Sequence, residues 1–158
     1  MVTNSQVRIV LQSMKSKIAA RLKDILAAGV PELKYISFDR VRLRYGDFTD
    51  YELPAVQIYD VGETAQHENV RKRVTWILYL ELIMKSSMDG EVNQADLWNM
   101  AYLIERKLWA DPTLGGGLPG FLHIKYSGNV TDLHLLPPFY SARIEFEAHY
   151  YEDLVREC

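Results

Sequence analysis

The side chains that could carry acid–base or metal chemistry are few. There are four histidines, His67, His123, His134 and His149, and three close carboxylate pairs, Asp50/Glu52, Asp60/Glu63 and Glu145/Glu147. A metal centre needs donors held a turn of helix or a strand step apart, as in HExxH, and the four histidines are not spaced that way. Glu145, Glu147 and His149 occupy alternate positions of SARIEFEAHYY, so they share one strand face. With His123 they make up a rival reading, a small α+β enzyme or ligand-binding domain. A half-buried strand needs polar residues at those positions anyway, and the sequence supplies no converging third group. Gly115-Gly116-Gly117 lacks the Lys and Ser/Thr of a phosphate loop and follows a helical pattern rather than a strand. No GxSxG occurs, and Cys158 is the last residue, a poor place for a nucleophile. The expectation is a non-enzyme with no catalytic, cofactor-binding or metal-ligating residues.

The 158 residues suit a single domain, 1–158, and 48% hydrophobic with 25% charged residues is ordinary globular composition. A net charge of −3 argues against a general nucleic-acid binder. One cysteine excludes an intramolecular disulfide and any cysteine-based metal site, and it fits a reducing compartment. The N-terminus reads as no signal peptide, since its longest apolar run is Ile9-Val10-Leu11. Val74–Met84 is apolar but only eleven residues long and contains Glu81. A membrane span needs about 20, so no membrane association is expected.

The elements that must position these groups follow from periodicity. Val7, Val10, Leu11, Met14, Ile18, Leu22, Ile25 and Leu26 step by three and four, predicting a helix that starts at Asn4 or Ser5 and stops at Gly29 and Pro31. Ile36/Phe38 and Val41/Leu43/Tyr45 alternate out of phase, so a bulge, turn or face switch is expected near Asp39-Arg40. Pro54 opens a short strand, Ala55 to Asp60, and polar, aperiodic Gly62 to Asn69 reads as a loop. Val74, Trp76, Leu78, Leu80, Leu82 and Met84 form one face of a long strand, with Thr75, Ile77, Tyr79, Glu81 and Ile83 on the other. Ser86 to Glu91 reads as a turn. Asn93 caps a second helix, which buries Leu97, Ala101, Ile104 and Leu108 and ends at Asp111-Pro112. Phe121–Tyr126 and the alternating run Ala142 to Tyr150 complete the set. The order is α-β-β-β-α-β-β. Two helices are too few to cover both faces of such a sheet, so the expected class is α+β, a largely antiparallel (mixed) sheet with two main helices packed on one face.

Two surface features remain. Arg71-Lys72-Arg73 leads into the long strand and admits three roles: a charged lead-in that discourages edge pairing, contact with an acidic partner, or phosphate contact beside Arg40, Arg42 and Arg44. Ten tyrosines and three tryptophans form an aromatic surplus. Ile77, Tyr79 and Ile83 on the second face of the long strand, with Tyr45, Tyr59 and Tyr151, exceed what a one-faced core needs. Ile77, Tyr79 and Ile83 are therefore the candidate subunit interface.

The order and spacing of LPAVQIYDVGE, RKRVTWILYLELIMKSS, VNQADLWNMAYLIERKLWADPTLGG and YSARIEFEAHYYED, behind an N-terminal amphipathic helix, resemble the tail terminator (tail completion) proteins of long-tailed bacteriophages. The resemblance spans about Gln6 to Asp153, with no matching feature in Asp39–Tyr51. It implies a virion assembly protein forming a ring, usually a hexamer, on the last ring of the tail tube. Such a ring ends tube polymerisation and offers a surface to the head. The implied partners are the chain itself, the tail tube protein and a head-completion or connector protein, and DNA passes through the ring without specific binding. The implied location is the head-proximal end of the tail, after assembly in the host cytoplasm. On this reading Glu63, His67, Glu68, Arg71, Lys72 and Arg73 are candidate tube- or lumen-facing residues, and the Gly115–Gly120 loop is a second candidate. Another neck protein, a head-closure or head–tail joining subunit, is the nearest alternative.

Overall fold

The structure is a computed structural model that describes residues 12–38, 48–85, 94–132 and 139–153, with backbone only for Asp50, Thr131 and Asp132. The first helix, α1, spans Met14–Gly29 and buries Met14, Ile18, Ala19, Leu22 and Leu26. Its start is set by Ser13, whose backbone is extended and whose hydroxyl accepts from the Ser16 N–H at 3.1 Å. The helix described therefore begins later than Asn4 or Ser5. Those two residues, with Val7, Val10 and Leu11, lie outside the described residues. At the other end the Val30 N–H donates to Leu26 O, and Pro31 prevents a further turn.

Among the described residues, five strands form one sheet in the order β1-β2-β3-β5-β4. They are β1 Tyr35–Ser37, β2 Ala55–Glu68, β3 Arg71–Lys85, β4 Phe121–Asp132 and β5 Phe139–Asp153. The second helix, α2 Gln94–Trp109, lies between β3 and β4 in the chain. Of these strands β1 and β2 pair in parallel, and the β2–β3, β3–β5 and β4–β5 pairings are antiparallel. The expected α+β class and element order hold.

The period-two pattern places the core. Val74, Trp76, Leu78, Leu80 and Leu82 lie opposite Tyr150, Ala148, Phe146, Ile144 and Ala142 in the β3–β5 ladder. All ten pack in one cluster with Ile18, Leu22 and Leu26 of α1 and Leu97, Ala101, Ile104 and Leu108 of α2. Both helices thus cover one face of the sheet.

One element differs from the sequence expectation. Gly62 to Asn69 is not a loop. The strand that was to stop at Asp60 continues to Glu68, and β2 and β3 form a long hairpin turning at Asn69-Val70, with Asn69 at φ 54°. Two causes hid it. A bulge between Asp60 and Gly62 shifts the register, which breaks the alternation. Beyond the bulge the side chains are nearly all exposed on both faces, so no apolar period exists to read. Backbone pairing to β3 holds the segment without one. The expected irregularity at Asp39-Arg40, the alternating Val41, Leu43 and Tyr45, the Ser86–Glu91 turn and the Asn93 cap lie outside the described residues.

The glycine loop after α2 is a held turn. Arg21 donates from Nη1 to Leu114 O at 3.0 Å and to Gly116 O at 2.9 Å, and the Gly115 N–H donates to Asp111 Oδ1 at 2.9 Å. Gly115, Gly116, Gly117 and Gly120 all have positive φ. Gly120 has the narrowest tolerance: at φ 87° an added Cβ would lie 2.6 Å from Tyr151 O, whose own N–H donates to Gly120 O at 2.7 Å. Gly120→Ala is expected to destabilise the chain by about 2 kcal/mol or more, combining left-handed strain with the clash. Thermal unfolding checks this, with a Tm lower by roughly 4–8 °C.

Candidate assembly surfaces

The hairpin arm carries the residues that the sequence singled out, and the ladder sorts them. His67 lies opposite Lys72, Glu68 opposite Arg71, and Gln66 opposite Arg73, so five of the six gather near the tip. Alternation splits the basic triplet: Arg71 and Arg73 share the sheet face away from the helices, and Lys72 points to the helix side. Each has an acidic or aromatic neighbour across β5. Lys72 Nζ is 3.3 Å from Glu152, and the Arg71 guanidinium lies 4.0 Å from the Tyr151 ring centre. Acidic Glu68, Glu152 and Asp153 interleave with the cations, so the tip is a mixed-charge rim rather than a cationic grip.

Glu63 is separated from that group. It lies opposite Trp76, below the tip, and with Asp60 holds Lys15 of α1, each carboxylate 3.2 Å from Nζ. Burial acts to lower the Lys15 pKa, but the hydrogen bonds to Glu63 and Asp60 outweigh it and raise the group above its ordinary value. Asp60 also accepts from Trp76 Nε1 at 2.9 Å. These contacts tie the base of the arm to α1.

The sheet face away from the helices holds the proposed subunit interface. Tyr79 stacks on Tyr59 at 4.9 Å, and Arg143 lies over its other side, 4.6 Å from the ring centre. Ile77 is 38% exposed. Ile83 is a correction. It is only 1% exposed because Phe48, Leu53 and Ala55 pack on it within the same chain, so it presents nothing to a neighbour.

His123, His149, Glu145 and Glu147 also lie on this open face. His123 and His149 stack at 4.8 Å, His149 Nε2 is 3.2 Å from Glu147, and His149 Nδ1 is 3.3 Å from the Thr75 hydroxyl. A hydroxyl, an imidazole and a carboxylate in a row could pass a proton. Hydrolysis needs more: oriented donors for a developing oxyanion. Thr75 and His149 face each other within the β3–β5 ladder, and Thr75 is paired with Thr64 on its other side, so the nearby backbone donors are engaged in the sheet.

The pair does predict a pH dependence. Burial, then the neighbouring His149, Arg73 and Lys125, hold the His123 pKa below its ordinary value. The unfolded chain therefore takes up this proton first as pH falls. The contribution is fully present above about pH 6.5, is lost as pH drops through that value towards the lower folded pKa, and is constant below it. Urea midpoints at pH 7.5 and 5.5 are expected to differ less in His123→Gln than in the parent chain.

Three exposed aromatics on α2 were not singled out in the sequence. Trp98, Tyr102 and Trp109 are 55%, 60% and 67% exposed. They follow four- and seven-residue steps and form a second stripe beside the buried Leu97, Ala101, Ile104 and Leu108. That double stripe was a readable signal. Where Trp109 meets β4 there is a cavity of about 260 Å³ lined by Leu108, Trp109, Pro112, His123, Ile124, Lys125, Tyr126 and Phe146. Tyr51 stands 92% exposed on the short 3-10 turn Asp50–Glu52. Among the described residues, β2 beyond Gln57 has no strand on its outer side, and neither does β4.

The protein-family models contain none that matches the sequence, and the curated proteins contain no match either. The structure is similar to a chain from the solved structure described as "Virion of native gene transfer agent (GTA) particle", with a TM-score of 0.61, 10% identity, and coverage of 85% of this chain and 95% of that chain. The conclusion at that identity is a shared fold, spanning nearly the whole of a virion chain.

Proposed function

We propose that this chain, as a single domain over 1–158, is a structural virion protein that caps the tail tube of a phage-like particle, ends tube polymerisation and presents a surface to the head. The observation that carries the reading is the fold shared with 95% of a chain of a virion. Three features of the surface support it. Among the described residues, β2 beyond Gln57 and β4 have no strand on their outer sides, edges that a self-closing head-to-tail ring can use. Large aromatics stand exposed on α2, as at protein interfaces. The hairpin arm ends in mixed charge, which suits docking on a polar ring and does not hold DNA that must slide.

In this reading the arm, with His67, Glu68, Arg71 and Arg73 near its tip, faces the tube or the lumen. Glu63 acts indirectly, by fixing the arm's base to α1 through Lys15. The open face around Ile77 and Tyr79 belongs to the subunit contacts. The partners are further copies of the chain, probed as a hexamer, the tube protein below and a head-completion or connector protein above. Termination requires no chemistry: one ring face complements the tube, and the other lacks the tube's polymerising surface.

Native mass measured with and without tube protein tests the ring. A closed oligomer, alone or on the tube, supports it. A monomer under both conditions contradicts it.

A further inference from the structure

Within β4 one short stretch is set apart. Register shifts fall between Phe121 and His123 and between Tyr126 and Gly128, so His123–Tyr126 pairs with Phe146–His149 as a short ladder of its own. A stretch bounded by two irregularities can open without unzipping the rest of the sheet. On the helix side Ile124, 5% exposed, anchors it to the core, and the Ile124 N–H donates to Pro112 O at 2.8 Å. On the open face it is held by the His123 ring, which stacks on His149 with centres 4.8 Å and planes 20° apart. His149 is itself fixed at both ring nitrogens. Nδ1 lies 3.3 Å from the Thr75 hydroxyl of β3, and Nε2 lies 3.2 Å from Glu147 of β5.

We propose that the stacked histidines are a proton-operated latch: neutral, they hold this stretch of β4 to β5, and protonation of both releases it. The groups on the surrounding rows of the open face are mixed in charge. β4 contributes Lys125 and β3 contributes Arg73. β5 contributes His149, Glu147 and Tyr151, with the Arg71 guanidinium over the Tyr151 ring and Glu145 a step beyond Glu147. β2, on the far side of β3, sets uncharged Thr64 and Gln66 on these rows. A proton on His149 is met by Glu147, 3.2 Å away. A second proton, on His123, meets a charged imidazole at stacking distance, with Arg73 and Lys125 near it. Like charges that close repel. Burial, then His149, Arg73 and Lys125, hold His123 below its ordinary value. The opened stretch takes up that proton near the ordinary pH 6.5, and the closed stretch takes it up lower. Acid therefore favours opening, from about pH 6.5 downwards, and the effect levels off below the folded value. The latch is intramolecular and independent of the tail-capping reading. It acts on a strand that lines the cavity under the exposed Trp109.

The test is amide hydrogen exchange of the full chain by NMR, expressed as protection factors so that the intrinsic effect of pH is divided out. Protection at His123, Ile124 and Lys125 is expected to be lower than at Leu78, Leu80 and Leu82 of β3, because the stretch opens without the sheet. Between pH 7.5 and 5.5 it is expected to fall severalfold, up to about tenfold, the most that one proton with an ordinary value near 6.5 allows at that pH. His123→Gln, which cannot take the proton, is expected to lose this fall. His123→Lys carries the charge at both pH values and is expected to show low protection in the stretch already at pH 7.5. Protection at Leu78, Leu80 and Leu82 reports that each variant remains folded. Three results overturn the latch: protection in the stretch as high as in β3, no fall between the two pH values, or the same fall in His123→Gln.

Discussion

Phe146→Ala is expected to lower the stability of the chain by about 3–5 kcal/mol, one of the two largest effects the structure predicts. Phe146 is 2% exposed in the middle of β5, opposite Leu78 of β3, and meets Tyr126 of β4 edge-on with ring centres 5.8 Å apart. It packs in the core that α1 and α2 cover. Its removal leaves a void that the paired strands on either side cannot collapse around. Against a total stability of roughly 5–15 kcal/mol for a domain of this kind, that is about a fifth or more. Urea denaturation is the check: a lower midpoint with an unchanged slope. Val130→Ala, at a site 53% exposed on β4, is the control and is expected to stay within about 0.5 kcal/mol of the parent. Phe146 also lines the cavity between α2 and β4.

The second large effect is on assembly. Arg71→Glu with Arg73→Glu is expected to leave the fold largely intact, costing about 1–2 kcal/mol, because both groups are exposed, Arg71 loses its contact with Tyr151, and a carboxylate at 71 faces Glu68 and Asp153 across the ladder. On the proposed docking rim, reversing two charges is expected to cost several kcal/mol of association, since like charges then meet. The yield of infectious particles is therefore expected to fall by about tenfold or more. Circular dichroism and a plaque assay on the same variant separate the two quantities. Lys72→Glu is different. It sets a carboxylate beside Glu152 on the helix side, so its cost falls on stability as well.

Much of the fold was legible in the sequence because burial writes a period. Val74 to Met84 and Ala142 to Tyr150 alternate because one face of β3 and β5 is sealed by both helices, and their register follows from that face. Leu97, Ala101, Ile104 and Leu108 step by helix turns for the same reason. Where burial ends, the signal ends. Val61 to Glu68 is strand, held by pairing with β3, but its exposed side chains and the bulge after Asp60 erased the alternation. Ile83 was read as surplus because its cover, Phe48 and Leu53, comes from a stretch with no period of its own. The assembly surfaces were legible in part. The charged triplet was visible, but not its division between two faces. The α2 stripe was visible in spacing and was overlooked beside the stronger buried stripe. Tyr51 and the cavity could not be read, because exposure and concavity depend on which distant segments meet.

Tail length in particles lacking this chain tests the central claim most directly. Negative-stain electron microscopy of lysates from a producer deleted for its gene is expected to show overlong tails without heads, with normal length restored by the wild-type chain supplied in trans. Tails of normal length that fail to join heads would contradict the capping role and place the chain instead among the other neck proteins.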